Sequence, residues 1–168
     1  TALEIDVYGG KKTQLTEELS YDLGALAYYY HDNQLVGAGS ANANTLELYA
    51  ALNYGPASLK YSQALSPLFG IVDSRGSYYL DANFNYELAN TYTLNLHAGY
   101  QKVRGFNSRA ASYQDYKITL NKTLGKANDW TLSLAAHHTN ASQLFLQLAC
   151  QRQIHGEECP GSESDEKL

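Results

Sequence analysis

Methionine is absent from the 168-residue chain, tryptophan occurs once, and the only two cysteines, Cys150 and Cys159, lie near the C-terminus. No apolar run reaches the roughly 18 residues of a transmembrane helix, and no charged-then-apolar segment of a signal peptide is present. Because the initiator methionine is missing, we expect a processed chain or a fragment. The lack of cysteine before residue 150 excludes disulfides from the rest of the chain.

Basic residues are few as well, and the formal net charge is −5. This balance disfavours a nucleic-acid partner, which a basic surface would attract. The mean hydropathy of −0.40 is too low for a helical membrane protein. It is compatible with membrane strands, in which apolar and polar residues alternate and average out. Tyrosine, with 15 residues, is abundant.

The most regular stretch runs from Ser77 to Val103 and predicts an antiparallel hairpin around a turn at Ala89–Thr91. Successive side chains of a strand point to opposite faces, so the alternation defines an apolar and a polar face. The apolar face carries Tyr78, Leu80, Ala82, Phe84, Tyr86 and Leu88, then Tyr92, Leu94, Leu96, Ala98 and Tyr100.

Tyrosine lies near both ends of these apolar rows, and Leu, Ala or Phe fills the middle. Transmembrane β-barrels show this order, because rings with a polar tip favour the two membrane–water interfaces. The sequence therefore predicts lipid contact and a set of interfacial aromatic residues, namely Tyr29, Tyr54, Tyr78, Tyr86, Tyr92, Tyr100, Tyr116 and Trp130.

Alternation elsewhere predicts six further strands. In chain order, all eight are Ala2–Gly10, Leu19–Tyr30, Thr45–Gly55, Ser58–Leu65, the two halves of the hairpin, Tyr113–Leu124 and Trp130–His138. The connections between them alternate short and long, as in outer-membrane barrels with tight periplasmic turns and longer external loops. The predicted fold is an all-β, antiparallel, up-and-down transmembrane β-barrel at residues 1–139.

If the short turns are periplasmic, the first strand begins and the eighth strand ends on the external side of the membrane. A complete barrel of this type begins and ends in the periplasm. An open sheet edge in lipid would leave backbone groups unpaired. We therefore expect the eight strands to be part of a larger barrel, with strands missing on both sides. Residues 140–168 read as a divergent, flexible tail, because the segment after Ser142 does not alternate as a closing strand would.

The polar face carries the candidate functional residues, which would line a pore: Glu4, Asp6, Asp22, Glu47, Lys60, Asp81, Asn83, Glu87, Asn95, His97, Asp115 and Lys117. Its seven acids and two bases leave a formal charge of −5. Carboxylates along a pore raise the local cation concentration, so we expect a mild cation preference. The alternative is that these groups are solvated or paired with each other and serve no transport.

No nucleophile elbow, phosphate loop or zinc signature is present, so we expect no enzyme activity, no catalytic residues and no cofactor. Cys150, His155 and Cys159 are metal-ligand types, but a Cys-x-x-Cys pair and a fourth ligand are missing. A disulfide or two free thiols fits this tail better than a metal site.

Several segments together resemble the TorF family of porins, outer-membrane proteins of Gram-negative bacteria: EIDVYGG, YDLGALAYYY, TLELYAALNYG, YYLDANFNYEL, TLNLHAGY and DYKITL. The resemblance covers about Thr1 to Thr139. It implies a barrel with about three more strands before this segment and one after it, an outer-membrane location, and passive passage of small solutes. It brings no catalytic residues and no established substrate.

Two other functions stay open at this point. A soluble β-barrel could bind a small apolar ligand inside, as lipocalins do, and its apolar face would then point inward. A structural barrel with a plugged lumen would transport nothing. The sequence does not decide the oligomeric state.

Overall fold

The computed structural model describes residues 3–31, 41–89, 91–105, 108–124 and 130–141. They form one antiparallel sheet of eight strands in which sequence neighbours are always sheet neighbours. The strands are β1 (Glu4–Gln14), β2 (Leu19–Tyr30), β3 (Thr45–Tyr54), β4 (Ala57–Ala64), β5 (Tyr78–Ala89), β6 (Tyr92–Lys102), β7 (Tyr113–Leu124) and β8 (Trp130–Thr139). The all-β, up-and-down meander predicted from alternation is confirmed, and within these residues the sheet is open, with β1 and β8 as its edges.

Strand bounds agree closely with the sequence pattern for β2 and β7, and three local predictions were wrong. β1 continues to Gln14, where a polar turn was expected from Lys11. Ala89 belongs to β5, and the β5–β6 register shifts between Glu87 and Ala89. Such a bulge puts an extra residue in one strand, and alternation alone does not reveal it. The loop before β7 contains a short helix, α1 (Ser108–Ala111).

The strand register confirms both predicted faces, because residues opposite each other in a ladder share a face. Across β3 and β4, Leu52 lies opposite Leu59 and Asn53 opposite Ser58. Across β6 and β7, Leu96 lies opposite Ile118. Each strand therefore contributes one row to an apolar face and one row to a polar face.

The buried apolar core lies at one end of the sheet and not between two layers. Ala64, Leu68, Val103 and Ala111 are all at most 7 % exposed. These residues come from the end of β4 and from the β4–β5 and β6–β7 connections. We call residues 65–77, 103–105 and 108–112 the cap. The cap lies at the end of the sheet where the long connections meet.

In the described residues, no helix is long and apolar enough to span a membrane. Some predictions fall wholly or partly outside the described residues: the loop at 31–44, Asn90 of the central turn, the turn at 125–129 and the tail from residue 142 onward.

The polar face as a candidate functional site

The sheet brings the twelve predicted pore-lining residues onto one face. Their places are set by the ladders: Lys60 lies opposite Asp81, Asn83 opposite His97, and His97 opposite Lys117. Extension of β1 adds a residue that the sequence pattern had assigned to a turn, because Lys12 lies opposite Asp22. Seven acids less three bases leave a formal charge of −4 on this face, so the predicted value of −5 was one charge too negative.

Burial on the two faces is inverted relative to a water-soluble protein. Along β3 the apolar-face residues are exposed, with Leu48 at 47 % and Leu52 at 49 %. The polar-face residues Glu47, Tyr49 and Asn53 between them are half-buried. Side chains on the concave side of a curved sheet crowd one another, so we infer that the polar face is the concave one.

A histidine between two carboxylates lies at the middle of the polar face. His97 Nε2 lies 2.6 Å from Asp115 Oδ1, and His97 Nδ1 lies 3.2 Å from Asp81 Oδ1 and 3.0 Å from Asn83 Oδ1. The Asn83 amide also donates to Asp81 at 2.6 Å. Both ring nitrogens of His97 therefore lie within hydrogen-bonding distance of oxygen atoms of neighbouring side chains.

Tyr79 extends this network, and sequence reasoning missed it. Its hydroxyl donates to Asp115 Oδ2 at 3.0 Å, although the two residues lie on β5 and β7 with β6 between them. The intervening residue is Gly99, which pairs with both Asp81 and Asp115. A Cβ at Gly99 would overlap the Tyr79 hydroxyl and the Asp115 carboxylate. The glycine is therefore what allows the two side chains to meet.

A second tyrosine hydroxyl lies against in-strand glycines on β1 and β2. The Tyr49 hydroxyl lies 2.5 Å from where a Cβ of Gly24 would be and 2.6 Å from that of Gly10. The hydroxyl also donates to Asp22 at 3.5 Å, and Lys60 Nζ lies 4.5 Å above the Tyr49 ring. Gly24 was predicted to allow a close approach within its strand, but Tyr49 was not among the predicted pore-lining residues.

A row of amides lies nearer the short-turn end of the polar face. The Asn95 amide donates to Asn85 Oδ1 at 2.6 Å, Asn121 donates to Asn95, and the Ser133 hydroxyl donates to Asn121 at 2.6 Å. This row crosses β5 to β8. It gives the face neutral donors and acceptors beside its charged groups.

The apolar face carries the predicted aromatic residues in two groups. Tyr54, Tyr86, Tyr92 and Trp130 lie at the short-turn end, and Tyr29, Tyr78, Tyr100 and Tyr116 lie at the long-loop end. Rings eight residues apart on one strand, such as Tyr78 and Tyr86, are about 26 Å apart along it at ~3.3 Å per residue. That separation is of the order of the ~25 Å apolar band of membrane barrels.

Lysine joins the aromatic group at the short-turn end, since Lys122 Nζ lies 5.1 Å from the centre of the Tyr92 ring. Tyr21, on the same face of β2, belongs to this end too and was not among the predicted interfacial residues. Leucine, isoleucine, alanine and Phe84 occupy most of the positions between the two groups.

The polar face offers hydrogen bonding, charge and an ordered side-chain network. Within the described part of the chain, no three His, Cys, Asp or Glu side chains are arranged to hold a metal ion. The predicted disulfide or free thiols of Cys150 and Cys159 lie outside the described residues.

Fold and faces together define a class of protein: an antiparallel β-meander with a charged, hydrogen-bonded polar face and an exposed apolar face. A family model described as a bacterial protein of unknown function (Gcw_chp) matches residues 1–158. The chain belongs to this family. No curated protein and no solved structure matches it.

Proposed function

We propose that the chain is an outer-membrane β-barrel protein that acts as a porin for small polar solutes with a mild preference for cations. The observation that carries this proposal is the inverted burial. In the described residues, 24 large apolar side chains of the apolar face and of the segments beside it would otherwise face water; Leu134 at 75 % and Trp130 at 73 % are the most exposed of them. Exposed apolar patches of this extent favour a lipid or protein partner.

The two aromatic groups support lipid as that partner. Tyrosine and tryptophan prefer the interfacial region, where the ring is desolvated and the polar tip stays hydrated. The arrangement of Lys122 over Tyr92 suits the same region, because the ammonium can reach the headgroups.

The polar face supports the second part of the proposal, that the side of the sheet away from lipid contacts water and ions. Its formal charge of −4 comes from seven carboxylates and three lysines on the strands, and rings of carboxylates favour cations over anions. Small polar solutes suit the amide row, which offers neutral donors and acceptors.

The apolar-ligand barrel needs the apolar face to point inward. The half-buried polar face argues against that orientation, because the concave side would then carry the leucines.

Closure of the sheet in lipid requires partners for the β1 and β8 edges, since unpaired backbone groups cost several kcal/mol each in hydrocarbon, on the order of a lost hydrogen bond or more.

Reconstitution into planar lipid bilayers tests the proposal. The full chain is expected to produce stepwise conductance and, across a KCl gradient, a reversal potential of the sign for K⁺ over Cl⁻. Conductance without selectivity would support the pore and contradict the cation preference. No conductance above that of protein-free bilayers, with the chain shown to be inserted, would contradict the porin.

A further inference from the structure

The cap packs over the polar face and leaves the apolar face uncovered. At the strand ends beside it, the polar-face residues Thr45, Ala64 and Gln101 are 2 %, 2 % and 9 % exposed. The apolar-face neighbour Leu46 is 42 % exposed, and Lys102 is also exposed. The described parts of the β4–β5 and β6–β7 connections therefore fold over the polar face.

Phe69 is the residue of the cap that packs against two tyrosines of β2. Its ring lies edge-on to Tyr28, with ring centres 4.9 Å apart, and to Tyr30 at 6.4 Å. Both tyrosines belong to the polar face, where Tyr28 pairs with Asp6 and Tyr30 with Glu4. The Phe69 amide donates to Thr45 Oγ1 at 2.8 Å, which fixes the backbone beside β3.

Buried serines hold the β4–β5 connection in one conformation. Ser74 Oγ accepts from the Leu68 amide at 2.6 Å and donates to the Ile71 carbonyl at 2.6 Å. Ser77 Oγ donates to the Ser74 carbonyl at 2.5 Å and accepts from the Arg104 amide at 3.0 Å. Both serines are fully buried, so these bonds are shielded from competition by water.

Two residues of the cap have left-handed backbone conformations that non-glycine residues rarely adopt: Phe69 at φ 47° and Asp73 at φ 57°. Each such residue costs about 1 kcal/mol or more and persists where the surroundings over-determine it. At Asp73, close packing against Gly105 constrains the backbone, because a Cβ at Gly105 would overlap the backbone of Val72 and Asp73. The cap is thus a fixed structure and not a freely moving loop.

From this placement we propose that the cap is a permanent constriction at one mouth of the channel and that Phe69, against Tyr28 and Tyr30, sets its size limit. This inference rests on the proposed pore. It assigns the size selection to aromatic side chains at the long-loop mouth, and the charge selection to the carboxylates further along the face.

Conductance and polymer exclusion test the constriction. The full chain and its Phe69→Gly variant are compared in planar bilayers with neutral polyethylene glycols of increasing size. Glycine removes the ring and relieves the positive φ, so the backbone of the cap is retained. The variant is expected to conduct severalfold more and to admit larger polymers.

Asp73→Gly is the matched control, because it relieves the same kind of backbone strain in the same connection and removes no ring. Its polymer cut-off is expected to equal that of the native chain. Replacement of residues 68–76 by a glycine–serine segment of equal length serves as a second opening variant.

Each outcome is informative. A conducting native chain with an unchanged cut-off in both opening variants would overturn the constriction and leave the pore intact. Conductance in the opened variants alone would support a cap over the mouth and contradict passive diffusion through the native chain. No conductance in any variant would overturn both the pore and its constriction.

Discussion

The Tyr79 hydroxyl meets the Asp115 carboxylate at 3.0 Å across an intervening strand, directly above Gly99. The pair links β5 to β7 through side chains, in addition to the backbone ladders that each makes with β6. Asp115 Oδ1 also lies 2.6 Å from His97 Nε2. This contact orders the middle of the polar face, and it depends on a residue with no side chain.

Gly99→Ala is expected to destabilise the folded protein by about 1–3 kcal/mol, because the added methyl displaces the Tyr79–Asp115 hydrogen bond. Urea unfolding of lipid-reconstituted protein measures the loss. Gly9→Ala is the control, since a Cβ there would meet no atom within 4 Å. Equal stability of the two variants would show that the contact has no energetic role.

Tyr79→Phe separates the hydrogen bond from the steric contact. In this background, Gly99→Ala is expected to cost less than in the native chain, because the hydroxyl that the methyl overlaps is gone. A double-mutant cycle measures this coupling. Strictly additive losses would indicate that the effect of Gly99→Ala does not depend on the Tyr79 hydroxyl.

The double variant Asp81→Asn and Asp115→Asn is expected to shift the KCl-gradient reversal potential toward zero, because it removes two of the carboxylates that attract cations. Asparagine keeps the shape and the acceptor oxygen. Glu17→Gln, an exposed change outside the strands, is expected to leave the potential unchanged. An equal shift in both variants would indicate surface charge and not the polar face.

Leu96→Arg is expected to destabilise the lipid-folded protein by about 2–4 kcal/mol, since a cation at the bilayer midplane of a β-barrel costs that much. Leu96 lies between Phe84 and Ile118 on the apolar face, about midway between the two aromatic groups. Tyr54→Arg, at the short-turn end, should cost much less. Folding titrations in lipid vesicles measure both, and equal small losses would contradict lipid contact.

The strand count, the faces and most strand bounds to within one residue could be predicted, because alternation is a local signal that the register then preserves. Leu52 and Asn53 fall on opposite faces from the sequence alone, and the ladder with β4 keeps them there. Two of the eight strands, β2 and β7, have the predicted ends.

The cap and the tyrosine–glycine contacts could not be predicted in this way. The cap is held by serine side chains that bond to backbone groups three to six residues away, and periodicity carries no such information. Tyr49 and Tyr79 reach across neighbouring strands, so their contacts depend on register and not on their own strand. Lys12 was missed because a polar run at a strand end resembles a turn.

The orientation of the two faces is the central claim, and cysteine labelling tests it most directly. In a Cys150→Ser, Cys159→Ser background, single cysteines at Leu48, Leu80 and Leu96 are compared in lipid vesicles with single cysteines at Asp81 and Asn95. A membrane-impermeant thiol reagent is expected to label the two polar-face positions fast and the three leucine positions slowly. Fast labelling of the leucine positions with protection of Asp81 and Asn95 would contradict the account and favour a barrel with an apolar interior.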